Sequence, residues 1–351
     1  MARASSANSK EREHLDEIDA IFREAGLVRH RRGKALAARP AHLDRAEANA
    51  LRVPAPIPAV APNGVEWLPV PEWQELNWLW AGFSTRRGGE SRVYCGERDN
   101  PELNLGFTAE DTREAVLRNR QLLTEAVTGS AETPLITVRQ FHSNLVIRVG
   151  LDDAKRERPR KADGLMTDKP GLLLGVQTAD CTPVLVADRK RRFVAAFHAG
   201  WRGTVKRIVE LGVGRMRIEF GSKPEDLTAA VGPGIDACCY AVGEEVLSEF
   251  ESQFIYAREL FHEVSDSDSV RTKYPMLFLT QRAPGHSPIG QSLHLDVAEA
   301  NRRQLLDAGL KPRAIRMMGG CTNCRRDLFF SHRGSQGHAG RMLSVIGMRP
   351  R

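Results

Sequence analysis

No stretch of the chain approaches the roughly 18 unbroken apolar residues that a membrane span needs. The first residues, MARASSANSKEREHLDEID, lack the apolar stretch of a secretory signal. The expectation is therefore a cytoplasmic protein with no membrane partner. Cysteine is sparse as well: Cys95, Cys181, Cys238, Cys239, Cys321 and Cys324 are too few and too scattered for a disulfide-framed secreted scaffold, so reduced thiols are expected. Aromatic residues make up only 6% of the chain, which leaves few platforms for base stacking. Nor is there a helix-turn-helix, zinc-finger or RNA-motif signature, so nucleic acid is not an expected partner. Internal repeats are missing too.

What is present is enough apolar material for a folded protein: 41% of 351 residues are hydrophobic, sufficient for one large domain or two ordinary ones. The net charge of +7 is unevenly spread. Residues 311–351 hold nine Lys and Arg against one acid, Asp327, and account for the whole surplus. Such a region suits a phosphate-bearing small molecule or, as an electrostatic partner, nucleic acid, which the missing signatures disfavour; a solvated cationic face is the other reading.

Residues 1–60 read as an N-terminal extension, flexible or partly helical. Eleven basic and eight acidic residues crowd there, and the stiff run VPAPIPAVAP follows. Within it Leu15, Ile18, Ile21 and Phe22 recur at helical spacing, predicting a helix over 11–24. From Trp67 the pattern changes to short apolar or β-branched runs bounded by glycine and proline. Strands are expected at 80–84, 135–139, 145–149, 172–176, 183–187, 193–197, 228–231, 314–318 and 342–346. Helices are expected at 111–127, 204–220, 243–253 and 297–308, while 262–290 is polar and aperiodic. The fold class is α+β, with residues 61–351 as the catalytic domain.

Two motifs carry the chemistry. In TADCTP lies Cys181, and seventeen positions on, in FHAGWRG, lies His198, across what reads as strand, turn, strand. His142, in QFHSN, stands 39 positions before the cysteine. A thiolate and two imidazoles are ligands that zinc prefers, and three protein ligands leave a fourth position open for chemistry. Zinc lowers the pKa of bound water from 15.7 to about 7. Before the cysteine, Asp180 can hold a ligating histidine by its second ring nitrogen or cap a turn. After His198 come Gly200, Trp201, Arg202 and Gly203, which place glycine and arginine at an expected helix N-terminus, a setting that favours an anion. A tight strand-to-helix turn explains the same glycines. Without metal, the residues also form a Cys–His hydrolase: Cys181 as nucleophile, His198 as base, Asp180 or His142 as orienter. A binding protein recruiting partners through its arm and basic tail is the remaining class. CTNC, with Cys321 and Cys324, has the spacing of half a zinc site but no second CxxC, because Cys238 and Cys239 are adjacent; it reads as a structural or incidental pair.

The blocks FSTRRGG, LNLG, QFHSN, ADGLMT, QTADCTPV, FHAGWRG, VGPGI with ACCY, LDV with AN, and CTNC with LFFSHR occur in this order from about Phe83 to the C-terminus. Together they resemble the YfiH/LACC1 family, also called multi-copper polyphenol oxidoreductase or laccase-like. The resemblance implies a single α/β sandwich domain with mixed β-sheets flanked by helices. It implies a catalytic metal site at His142, Cys181 and His198, occupied by Zn²⁺ with copper possible. Purine nucleoside and phosphate are the implied substrates. The family's activities include phosphorolysis of adenosine, inosine and methylthioadenosine, and deamination of adenosine. Asn104 and Arg120 look like nucleoside or phosphate contacts by the same analogy, and Arg87, Arg202 and Gly200 join them as expected substrate-binding residues. Hydrolysis of a peptidoglycan precursor and polyphenol oxidation are the alternatives. Two features weigh against parts of this set. Zinc nucleobase deaminases place a glutamate two positions after the ligand histidine, whereas Asn144 and Gly200 stand there. The chain's ten histidines contain no His-x-His pair, which an oxidising multicopper centre should need.

Overall fold

The computed structural model describes Glu24 and residues 40–50, 53–95, 100–265 and 292–350. The helix expected over 11–24 lies outside these residues, apart from Glu24. The first described elements are β1 (Ala41–Asp44), α1 (Arg45–Ala50), β2 (Ala59–Val60), β3 (Glu66–Pro69), β4 (Leu79–Ser84), β5 (Arg87–Ser91) and α2 (Arg113–Thr128). Next come β6 (Leu135–Thr137), β7 (Val146–Arg148), α3 (Leu151–Ala154), β8 (Gly164–Thr167), β9 (Leu172–Thr178), β10 (Thr182–Asp188) and β11 (Phe193–Ala199). The chain continues through α4 (Trp201–Val205), α5 (Ile208–Phe220), β12 (Leu227–Val231), β13 (Ala241–Val242), α6 (Glu244–Gln253) and β14 (Phe261–Ser265). It closes with β15 (Ser292–Leu295), α7 (Val297–Asp307), β16 (Ile315–Met317) and β17 (Met342–Met348).

Two mixed six-stranded sheets, in the orders β16-β12-β10-β11-β8-β7 and β2-β3-β4-β17-β9-β6, face each other. Their inner faces share one core that joins Leu185, Ala187, Val194 and Ala196 to Leu172, Leu174, Val176 and Ile346. The outer face of the first sheet carries α5 and α7, with Val184, Val186, Ala195 and Phe197 against Ile208, Val213 and Leu305. The outer face of the second carries α2, with Leu173, Leu343 and Val345 against Leu123 and Val127. The central strands thus alternate between two buried faces, which is why they read as unbroken apolar runs. The result is the expected α/β sandwich.

All nine expected strands form, with ends shifted by a residue or two. The helix expected over 204–220 is broken: Arg207 takes a left-handed conformation (φ 61°) between α4 and α5. Its guanidinium pairs with buried Glu210 and donates to the Gln253 carbonyl at 2.7 Å, so the break is held by tertiary contacts. A third, four-stranded sheet has the order β1-β14-β15-β13. Its edge strand β1, parallel to β14, comes from the segment read as an extension. No helix among the described residues is long and apolar enough to cross a membrane.

Candidate metal centre

Strand register explains how residues distant in sequence meet. Strands β10 and β11 form an antiparallel hairpin in which Thr182 pairs Ala199 and Pro183 pairs His198, so Cys181 and His198 sit at the same end. Strand β8 runs antiparallel to β11 with Gly164 opposite Phe197, and β7 runs parallel to β8 with Val146 opposite Gly164. The starts of β7, β8 and β10 and the end of β11 therefore coincide at one edge. His142 lies in the loop entering β7, and Asp163 immediately precedes β8.

Ligand atoms of His142, Cys181 and His198 all lie within 4.8 Å of one another. Cys181 Sγ is 3.9 Å from His142 Nε2, and the two imidazole rings are 5.1 Å apart at 66°. Gly200 makes this possible, since a Cβ there would come within 2.7 Å of Cys181 Sγ. The donor set, two imidazoles and a thiol in one small volume with a cavity on the remaining side, fits a four-coordinate ion with one open position.

Asp163 organises the group. Its fully buried carboxylate accepts the backbone N–H of His142 at 3.0 Å and of Ser143 at 2.7 Å, and the Ser143 hydroxyl at 2.7 Å. These bonds hold His142 in a left-handed conformation (φ 61°) that a residue with a Cβ rarely adopts. The same carboxylate meets His198 Nδ1 at 2.9 Å, which directs Nε2 at the ion position. Burial pushes the Asp163 carboxyl upward, but the His198 and Ser143 hydrogen bonds outweigh it and bring the pKa down to about 2. Burial likewise opposes charge on His198, yet Cys181 and Asp163 raise it to about 9. Cys181, which burial alone would raise, is drawn down to about 6 by His198 and His142.

Asp180 does not touch a ligand histidine. Its carboxylate accepts from Thr322 Oγ1 at 2.7 Å and from the Arg333 backbone N–H at 2.6 Å, tying the turn between β9 and β10 that holds Cys181 to the C-terminal loop. The aspartate that fills the expected role is in ADGLMT, a block with no ligand of its own.

Beside the ligands opens a cavity of about 550 Å³, lined by Arg139, Arg202, Arg333 and Arg341, by His332, and by the aromatic faces of Trp201 and Tyr240. Among the described residues that line it, Asp180 is the one with a carboxylate. Its volume lies in the range of small-molecule sites. Arg202 stacks on Trp201 at 4.4 Å and Arg333 on Tyr240 at 5.5 Å. The helix after Gly200 is only five residues long, so these arginines rather than a helix dipole make the cavity attractive to anions.

The other expected contacts lie elsewhere. Asn104 is fully buried and its amide is spent on Gly106, Asp111 and the Arg341 N–H. Arg120 donates to the Leu105 carbonyl and Thr137 and lies 4.4 Å over Phe107, where burial, with Arg113 nearby, lowers its pKa to about 10. Arg87 reaches Glu66 and Asp327, and Arg86 pairs with Glu102 at 2.6 Å beneath Phe330. None of these four lines the cavity. CTNC does have partners: Cys321 and Cys324 meet Cys238 and Cys239 in a second cluster, correcting the reading of an unpartnered half-site.

A purine nucleoside phosphorylase of Bacteroides thetaiotaomicron is 33% identical over 271 residues, 75% of this chain and 89% of its own length. An adenosine deaminase, RL5, from an unknown prokaryotic organism is 31% identical over 272 residues, 75% of this chain and 92% of its own. The crystal structure of YlmD from Geobacillus stearothermophilus superposes with a TM-score of 0.65 at 30% identity, covering 85% of this chain and all of that one. Residues 80–349 match the model of the family described as multi-copper polyphenol oxidoreductase laccase. With its fold, its motif order and this match in agreement, the chain belongs to that family, the YfiH/LACC1 or laccase-like group.

Proposed function

We propose that the chain is a zinc-dependent purine nucleoside phosphorylase, acting on adenosine, inosine or methylthioadenosine with phosphate to release the base and the sugar 1-phosphate. The observation that carries this reading is the convergence of His142, Cys181 and His198 on the wall of a cavity that also holds four arginines. Relatives named purine nucleoside phosphorylase support it.

Bound there, zinc would supply a Lewis acid at neutral pH. The protein's own groups do the rest. Arg139, Arg202, Arg333 and Arg341 give the cavity the charge to hold phosphate, and Trp201 and Tyr240 offer flat faces for a purine. Asp163 fixes the His198 tautomer by taking the Nδ1 proton as a hydrogen bond. Deamination of adenosine ranks below phosphorolysis. It needs a general acid/base, no glutamate among the described residues lines the cavity, and the Asp180 carboxylate is already engaged by two donors. One thiolate and two imidazoles also suit copper, which metal analysis of the purified protein separates from zinc.

Incubating metal-loaded protein with inosine or adenosine, with and without phosphate, and weighing the products tests the reading. Phosphate-dependent release of hypoxanthine or adenine with ribose 1-phosphate is expected; intact nucleosides, or release independent of phosphate, would contradict it. The order Cys181, His198, Asp163 also matches nucleophile, base and orienter of a cysteine hydrolase. Amide hydrolysis of a peptidoglycan precursor at full rate after chelation would favour that second reading.

A further inference from the structure

Strands β12 and β16 are parallel neighbours with Val231 opposite Met317, so the loops that leave them start side by side. The first, residues 232–240, carries Cys238 and Cys239; the second, residues 318–341, carries Cys321 and Cys324. They remain in contact, since Met318 donates to the Val231 carbonyl at 2.9 Å and Thr322 to the Gly234 carbonyl at 2.9 Å. All four sulfurs lie within 4.8 Å of one another. The separations are 3.7 Å for Cys238–Cys239, 3.6 Å for Cys238–Cys324 and 3.3 Å for Cys239–Cys324. A tetrahedral zinc with Zn–S bonds of about 2.3 Å spaces its sulfurs about 3.8 Å apart. All six cysteines of the chain are thiols, so no disulfide accounts for the approach. Cys238 and Cys321 are each 2% exposed, in a small apolar cluster with Ile235 and Tyr240.

We propose that Cys238, Cys239, Cys321 and Cys324 bind a second, structural zinc ion that clamps the two loops together. With four protein ligands the site is closed, and its role is to hold position. What it holds is the wall of the cavity. Tyr240 follows Cys239 directly, and the Cys321–Cys324 turn leads to His332 and Arg333. The turn also supplies Thr322, which holds Asp180 next to Cys181. The first metal centre plays no part in the inference.

Metal content of the full-length protein, purified from zinc-supplemented cells, tests it. The Cys181→Ser protein isolates the question, because it lacks a thiolate of the first centre only. It is expected to retain one tightly held zinc per chain. In a Cys181→Ser background, replacing the two half-buried thiols, Cys239→Ser with Cys324→Ser, should remove that ion. Because such a variant can fail to fold, a second measurement uses the wild-type cysteines. In native, metal-loaded protein the four thiols should resist alkylation, and a chelator strong enough to release zinc should expose all four together. Cys181→Ser protein without zinc, thiols that alkylate alike before and after chelation, or a Cys239–Cys324 disulfide in protein purified under reducing conditions would each overturn the proposal. Phosphorolysis can fail while this zinc is present, and the reverse, so the two proposals are judged separately.

Discussion

At the level of single residues, Asp163 is the side chain on which the candidate metal centre depends, though it supplies no ligand. Asp163→Asn keeps the shape but loses a charge and at least one acceptor, so both His198 and the His142 loop are released. Outer partners of this kind are typically worth ~10–100-fold in metal affinity. Competition with a chelating dye should show a loss of that size while the Cys181→Ser control loses the site outright; unchanged affinity would contradict the role. Cys181 yields a pH prediction. The thiolate is the reactive form, and its pKa is drawn down to about 6 by the two histidines. In metal-free protein its alkylation should therefore be slow below that pH, rise through it and level off above, whereas an ordinary thiol would still be accelerating near pH 8. The ligands were legible because each sits in a distinctive polar block between apolar runs. Asp163 was not, since an aspartate before Gly164 has the look of a turn residue, and only the β8–β11 register reveals what it faces. Asn104, Arg120 and Arg87 show the converse: their motifs stand out, but their hydrogen bonds go to the protein's own backbone and side chains and none of them lines the cavity.

At the level of elements, the β10–β11 hairpin and α5 behind it set the position of His198. Gly212 of α5 lies against the Phe197 ring, where a Cβ would come within 2.4 Å of ring carbon. Gly212→Ala would gain about 1 kcal/mol of helix propensity. Forcing a methyl into a filled contact costs about 1–3 kcal/mol, and the ring is fully buried with nowhere to go. Net destabilisation is expected in urea unfolding, with reduced activity because Phe197 precedes His198; a more stable protein would contradict the packing account. Nine of the twelve strands of the two large sheets were readable as short apolar runs, because their faces are covered; β2, β3 and β8 were not expected. Strands β14 and β15, FHEVS and SLHL, escaped notice because polar residues interrupt short segments. The break at Arg207 was equally hidden, being imposed by Glu210 and Gln253 rather than by any helix-stopping residue.

At the level of the whole molecule, charge and chain length make separate demands. The surplus of +7 is carried by the C-terminal forty-one residues, and two of the cavity arginines, Arg333 and Arg341, come from them. Phosphate affinity in the proposed reaction should weaken as salt rises, because counterions screen a basic site; a KM for phosphate independent of salt would argue against the arginine cluster. The N-terminal segment contributes β1 to the small sheet, so deletion of residues 1–39 should leave activity unchanged, whereas deletion through residue 50 should uncover β14 and lower the unfolding temperature. The basic tail and the α+β class could be anticipated from composition and pattern, and the sandwich from the family resemblance. The joining of residue 41 to residue 262 could not, because a parallel pairing across so long a separation leaves no local trace. The account rests above all on one ion held by His142, Cys181 and His198. Anomalous diffraction at the zinc edge from crystals of zinc-loaded protein tests it most directly. A peak about 2.3 Å from Cys181 Sγ and about 2.0–2.1 Å from a nitrogen of each histidine is expected; crystals that contain zinc elsewhere but show no peak among these three residues would contradict it.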